Sequence, residues 1–462
     1  MKILDLIPTY ENILETYEND LIGRNLDVFH FVNLLNSVDH STSIAIDAEW
    51  GAGKTFFVRQ VKLVLDAFNP NTAYIREDDI DGVKLTWNSN RATLKLELQP
   101  QITVYYDAWL NDNDADPIHS LVYSILQTMD SDFTFKESSG VLNTAASFID
   151  AFAGTSVSDL LNVLRGEDPL QQIRSKKDTE QLFADFLDSL LAERGNRLVI
   201  FIDELDRCNP SYAIKLLERI KHYFANERIT FVFSVNISEL QHTIKRYYGE
   251  GFDACRYLDR FFNFTVTLPK PNMDEYYRKV NLDFNRHAFD AICKDVIEIN
   301  GLTFRETTRF LQMAFTTAYK PTHNDNLGRG FAEDKARAFC LSCVLPVMIG
   351  LKVKDNARYK RFVTGQDSTP LIELFEYSTA TRWYTENLLA KNEAYEHIND
   401  QDISILVKLR DKIETAYRAI FATSYTGTTY SVEVGSFRFE KSSKEVLLQT
   451  ESSLSGNADY SY

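Results

Sequence analysis

The stretch that decides the fold is Ser43-Ile-Ala-Ile-Asp47-Ala-Glu-Trp-Gly51-Ala-Gly53-Lys54-Thr55-Phe56. Its first five residues read as a short buried strand. A glycine-rich turn follows, and the run from about Lys54 to Phe68 then reads as a helix. Strand, glycine turn and helix together are the setting in which such a turn acquires a chemical meaning.

Glycines let a loop wrap so that its main-chain N–H groups face an anion. The helix that follows turns its positive N-terminal end toward the same place. A lysine and a hydroxyl residue right after the glycines suit a polyphosphate with a divalent cation. Lys54 would bridge the β- and γ-phosphates, and Thr55 would ligate magnesium. Gly51, Ala52 and Gly53, flanked by Trp50 and Phe56, are the expected nucleotide-binding residues of this loop. The Walker A pattern asks for a further glycine at its first position, where this chain has Ala48.

A second segment belongs with the first. Leu198-Val-Ile-Phe-Ile202 is a continuous apolar run, as expected of a central parallel strand. It delivers Asp203 and Glu204 to the carboxyl edge of a sheet. Asp203 there is placed to hold the metal, and Glu204 to orient and deprotonate an attacking water. Asp206 and Arg207 follow, with three readings open: local pairing, contact with a neighbouring subunit, or helix capping. Ile229 to Val235 reads as another buried strand ending at Asn236, a candidate γ-phosphate sensor or a turn residue.

Strands alternating with helices imply a three-layer α/β domain with a parallel central sheet. Residues 1–42 read as an N-terminal helical segment with a loop at 20–24, and residues 43–271 as the P-loop domain. Strands are expected at 83–87 and 92–98, joined as a hairpin, and at 102–106, with a helix carrying Leu121, Ile125 and Met129 after them. The polar stretch 130–175 reads as an insertion and 178–194 as an amphipathic helix. From about Asn272 the pattern is mainly helical: a lid at 272–370 and a C-terminal region at 371–462 whose polar tail adds a short β-segment or stays loose.

Composition narrows the function classes. The 462 residues are 44% hydrophobic and 25% charged, ordinary for a globular chain with a sizeable core. The formal net charge of -16 argues against a free-standing nucleic-acid binder and against docking on an anionic membrane. Five scattered cysteines are reducing-compartment usage. The N-terminus has no signal-peptide core, and the longest apolar stretch, 341–353, contains Pro346 and Gly350 and falls short of a spanning helix. The expectation is a cytoplasmic protein without a membrane segment. Cys340 and Cys343 read as buried thiols, since a zinc site needs four ligands.

Taken in order, several segments resemble the KAP family of P-loop NTPases, within the wider group that includes AAA+ and STAND ATPases. They are Glu49-Trp-Gly-Ala-Gly-Lys-Thr55, Tyr106-Asp-Ala-Trp109, Ile202-Asp-Glu-Leu-Asp-Arg-Cys208-Asn-Pro210, Tyr257-Leu-Asp-Arg-Phe-Phe262 with Leu268-Pro269, and Phe304-Arg-Glu-Thr-Thr-Arg-Phe310. The resemblance covers roughly residues 15–320. It implies ATP with Mg2+ as ligand, a RecA-like sheet and a helical lid. It also implies the soluble branch, because no membrane helices stand between the two phosphate motifs. Bacterial members are associated with phage exclusion and defence operons, so the implied partners are further copies of the chain or operon-encoded proteins. By the same resemblance Arg260, with Arg256 in reserve, is an arginine-finger candidate, Arg305 a lid arginine, and Gly23 and Arg24 the cradle of the base.

Three function classes fit these residues: an ATPase driving a conformational or assembly cycle, a slow nucleotide-dependent assembly switch, and a DNA-stimulated ATPase. The last needs a basic channel, and the chain offers only small clusters such as Lys352-Val-Lys354 and Arg358-Tyr-Lys-Arg361.

Overall fold

The computed structural model describes residues 7–71, 75–89, 97–114, 117–132, 185, 187–192, 195–223, 226–279, 287–319, 331, 333–389, 403–421, 431–440 and 442–452. The chain divides into two compact units, Leu6–Tyr276 and a second that begins at Tyr277. The sequence reading had four segments. The N-terminal helices share the first unit with the P-loop region, and the segments expected at 272–370 and 371–462 share the second from Tyr277 on.

The first unit is built on five parallel strands, β1 (Thr42–Asp47), β2 (Gln101–Asp107), β3 (Arg197–Asp203), β4 (Ile229–Val235) and β5 (Phe264–Thr267), in the order β2-β3-β4-β1-β5. Every residue of β3 and β4 is buried. Apolar layers on both faces explain why these strands read as continuous rather than alternating apolar runs. Phe201, Phe231 and Phe233 are all but inaccessible to solvent, each contributing roughly 1.5–3 kcal/mol by burial.

Helix α1 (Tyr10–Glu18) is capped by Thr9, and α2 (Asn25–Ser37) follows it. Both pack against α3 (Lys54–Ala67), the helix that leaves the glycine turn. The expected hairpin is corrected at its first strand. Residues 83–87 lie in α4 (Glu77–Ser89). Val83, Leu85 and Trp87 alternate, but only Val83 and Trp87 are buried, while Leu85 is 74% exposed. Spacing of four puts the first and last on one helix face, and Glu77, Asp78 and Asp79 favour a helix N-terminus. Trp87 packs against Phe29 and Phe68. Of the second expected strand, 92–96 lie outside the described residues. So do 133–184, most of the expected insertion and the start of the helix expected at 178–194, of which 187–192 are helical.

Helix α5 (Pro117–Asp132) buries Leu121 and Ile125. Helices α6 (Pro210–Tyr223), α7 (Ile237–Tyr248) and α8 (Ala254–Leu258) complete the elements around the sheet that bear on the site.

The second unit is mainly helical. Its helix Asp334–Lys354 is, among the described residues, the one long and apolar enough to cross a membrane, and 72% of its most apolar window is buried within the protein. It runs through Pro346, contrary to the shorter element expected. A π-helical stretch at Cys340–Val344 precedes the proline and loosens the hydrogen-bond ladder where the ring removes a donor. Cys340 and Cys343 are free and buried there, as expected of core thiols. The polar tail does contain a β-segment, the antiparallel pair β6 (Ser431–Val434) and β7 (Phe437–Glu440), followed by a helix at Ser442–Ser452.

Candidate functional site

Gly51 and Gly53 take the left-handed conformation, at φ 80° and 88°. Ala48 does not, which is why alanine is tolerated where the pattern asks for glycine. Among the described residues neither Gly51 nor Gly53 donates its N–H within the protein. Gly53 is the N-cap of α3, so the loop ends on that helix's positive terminus. Lys54 folds back over the loop and donates to the carbonyls of Ala48 at 2.6 Å and Glu49 at 3.2 Å. Burial lowers the ammonium's pKa, and the carboxylates of Asp206, Asp203 and Glu204 oppose that shift. Phe56 is buried in the core, so only its main chain faces the loop.

Asp203 stands at the end of β3, buried, and its carboxylate is held from three sides. Oδ2 accepts from the Thr55 hydroxyl at 2.7 Å and from the Tyr105 hydroxyl at 2.9 Å. Oδ1 accepts from the Glu204 N–H at 3.0 Å. A threonine hydroxyl that spends its hydrogen on a carboxylate keeps lone pairs for a cation. Thr55 and Asp203 could therefore supply hard oxygen donors of the kind magnesium prefers. No group of three or more His, Cys, Asp or Glu that could cage a metal occurs among the described residues. Such a cage is not needed by an ion that arrives with a nucleotide.

Glu204 adopts a left-handed backbone at φ 62°, a conformation that non-glycine residues hold only when their surroundings enforce it. Its carboxyl is pushed up to about 7 by burial and by the neighbouring Asp203 charge, with Arg207 pulling the other way. Arg207 forms an ion pair with Glu204 Oε2 and lies over the Trp109 ring at 5.6 Å. This separates the two residues that the sequence reading had paired as one option. Asp206 instead accepts from the Trp50 indole N–H at 2.6 Å and ties the P-loop to the segment after β3.

Arg24 is buried, with its pKa lowered to about 10 by desolvation. It donates to the Pro269 carbonyl, and its Nε has no partner. Its Nη1 lies where a Cβ on Gly53 would come within 3.2 Å. Arg24 is thus placed beside the phosphate loop. Gly23, at φ 65°, packs against Asn272. Asn236 accepts from the Glu239 N–H through its Oδ1 and so caps α7, a cap that uses only the oxygen of its side-chain amide.

Arg260 and Arg256 are exposed. The chain enters β5 beside the start of β1, where the Asn263 N–H donates to the Ser43 carbonyl at 2.8 Å. The P-loop leaves the other end of β1. A six-residue strand spans roughly 20 Å, so Arg260 sits at the opposite rim of the sheet from its own loop. Arg305 is exposed on the first turn of the helix Phe304–Ala314 in the second unit.

Two residues escaped the sequence reading. Tyr105 is one position from the Tyr106-Asp-Ala-Trp109 segment, and only strand register shows that it faces Asp203. Ser234 stands opposite Asp203 on β4, fully buried with its hydroxyl unpartnered.

A phosphate loop after β1, an acidic pair after β3, and a strand between them define a P-loop nucleotide-binding domain. The family model for the KAP family P-loop domain matches residues 28–294, more than half of the chain, and the protein belongs to that family. No curated protein matches it at a significant level. Among solved structures, the Aeropyrum pernix ORC2 protein in its ADPNP-ADP complexes aligns over 95% of this chain and 94% of its own, at 10% identity and a TM-score of 0.31.

Proposed function

We propose that the chain binds ATP with Mg2+ at Gly51 to Thr55 and hydrolyses it to drive a conformational or assembly cycle. The observation that carries this reading is the Thr55–Asp203 hydrogen bond at 2.7 Å, directly beneath a loop whose glycines are already left-handed. Trp50, Ala52 and Phe56 contribute loop and first-turn backbone. Lys54, now on the loop's own carbonyls, exchanges them for the β- and γ-phosphate oxygens. When bound, magnesium neutralises charge on those oxygens.

Glu204 is the base that takes the proton from the attacking water. Its ion pair with Arg207 has to loosen first, which makes this a resting arrangement. Arg24 and Gly23 are assigned to the cradle of the base, and Arg305 to the lid. Arg260 lies too far from its own loop to act there, so its catalytic role is in a neighbouring copy. Those two features favour hydrolysis that waits on assembly, in a complex with further copies or with partners of the kind found in defence operons.

The test is ATP turnover and nucleotide binding by the full chain with Mg2+. Lys54→Ala is expected to lose tight triphosphate binding. Glu204→Gln is expected to bind ATP as tightly as the native chain while turnover falls about 10²–10⁴-fold. Normal turnover by Glu204→Gln removes that residue from the base role.

A further inference from the structure

We propose that Tyr105 is a positioning residue of the metal subsite: its hydroxyl fixes the Asp203 carboxylate in the orientation from which it and Thr55 receive a magnesium–nucleotide complex. The proposal rests on the nucleotide reading above and adds to it a residue from a strand that carries neither phosphate motif.

The parallel register of β2 with β3 sets Tyr105 beside Phe201 and Asp107 beside Asp203. Side chains two residues apart share a sheet face, so Tyr105 rises on the same face as Asp203. That face lies against α3, and a polar seam runs along it. Thr55 bonds Asp203, Arg59 lies over the Tyr105 ring at 4.2 Å, and Asp66 joins Lys62 at 2.6 Å and also accepts from Thr103. Along this seam Thr55 and Tyr105 meet on the Asp203 carboxylate, while Lys62 and Thr103 meet on that of Asp66.

Thr55 alone cannot hold that carboxylate still. Its hydroxyl has one hydrogen and rotates freely, and it must also meet the cation. Tyr105 supplies a second donor to the same oxygen at 2.9 Å. Its ring is clamped by the Arg59 guanidinium, which is anchored in turn to the Pro8 carbonyl at 2.8 Å. A phenol on a clamped ring keeps its direction whether or not the threonine turns. Groups that hydrogen-bond a metal's carboxylate ligand orient it, and their loss commonly weakens metal affinity about 10–100-fold.

The experiment is a titration of the full chain with a fluorescent ATP analogue, first in EDTA and then with increasing Mg2+. Tyr105→Phe is expected to leave the EDTA affinity within about twofold of the native chain and to raise the half-saturating Mg2+ concentration about tenfold. Tyr106→Phe is the control. It removes a buried hydroxyl from the same strand but the opposite face, where its partner is Tyr212, and its Mg2+ titration is expected to match the native chain.

A native Mg2+ requirement in Tyr105→Phe overturns the proposal and leaves the nucleotide reading intact. An equal loss of affinity in EDTA also overturns it, because the defect is then structural. If the native chain binds no nucleotide, both readings fall. Should Tyr105→Phe not fold, Arg59→Met frees the ring while keeping the hydroxyl. It is expected to raise the Mg2+ requirement, and an unchanged titration overturns the proposal.

Discussion

Replacing Gly53 by alanine puts the phosphate cradle to a quantitative test. The residue sits at φ 88° and ψ 24°, a conformation that costs an L-residue about 1–2 kcal/mol. The new Cβ would also lie 3.2 Å from Arg24 Nη1, on a buried guanidinium held by the Pro269 carbonyl. That neighbour has little room to yield. Alanine restricts the unfolded chain as well, which offsets about 0.4–1 kcal/mol. The net loss is about 1 kcal/mol, or a fall of about 2 °C in the melting temperature of a unit this size.

Ligand binding magnifies the difference. At a concentration of Mg-ATP 100 times its dissociation constant, the native chain gains about 2.7 kcal/mol. A site weakened about tenfold gains only about 1.4 kcal/mol at the same concentration. Calorimetric melting with and without Mg-ATP measures both effects. A Gly53→Ala chain that melts like the native one, and gains as much from nucleotide, shows that the left-handed cradle is not what binds the phosphates.

Two further outcomes follow from the same geometry. Arg260→Ala is expected to lose turnover, and mixing it with a Lys54→Ala chain is expected to restore part of it if subunits share a site; steady-state turnover of the mixture reads this, and no recovery counts against a finger in trans. Asp66→Ala is expected to cost about 3–5 kcal/mol in urea unfolding, because it breaks a buried ion pair by removing one of its two charges. The pair Lys62→Met with Asp66→Leu is expected to come within about 1 kcal/mol of the native chain or exceed it; a single variant no worse than the double contradicts a buried ion pair.

The site was legible wherever its chemistry runs along the chain. Gly51 to Thr55 and the apolar run ending in Asp203 and Glu204 are contiguous, and each residue type answers a local requirement. The readings that failed depended on direction in space. Val83, Leu85 and Trp87 satisfy a strand's alternation and a helix's spacing of four at once, and burial against Phe29 and Phe68 chose the helix. The apolar stretch 341–353 was read as falling short of a spanning helix, yet the helix that holds it runs from Asp334 to Lys354 through Pro346, with a π-helical turn ahead of the proline.

By itself, then, the order of residues determined that a phosphate loop follows one buried strand and an acidic pair follows another, because loop, strand and cap are local conformations set by neighbours in the chain. Only the tertiary structure decided that Tyr105, nearly a hundred residues away, shares the Asp203 carboxylate with Thr55, that Arg207 holds Glu204, and that Arg260 sits at the opposite rim of the sheet from its own loop. Those relations come from strand register and packing, which bring together groups that no spacing along the chain connects.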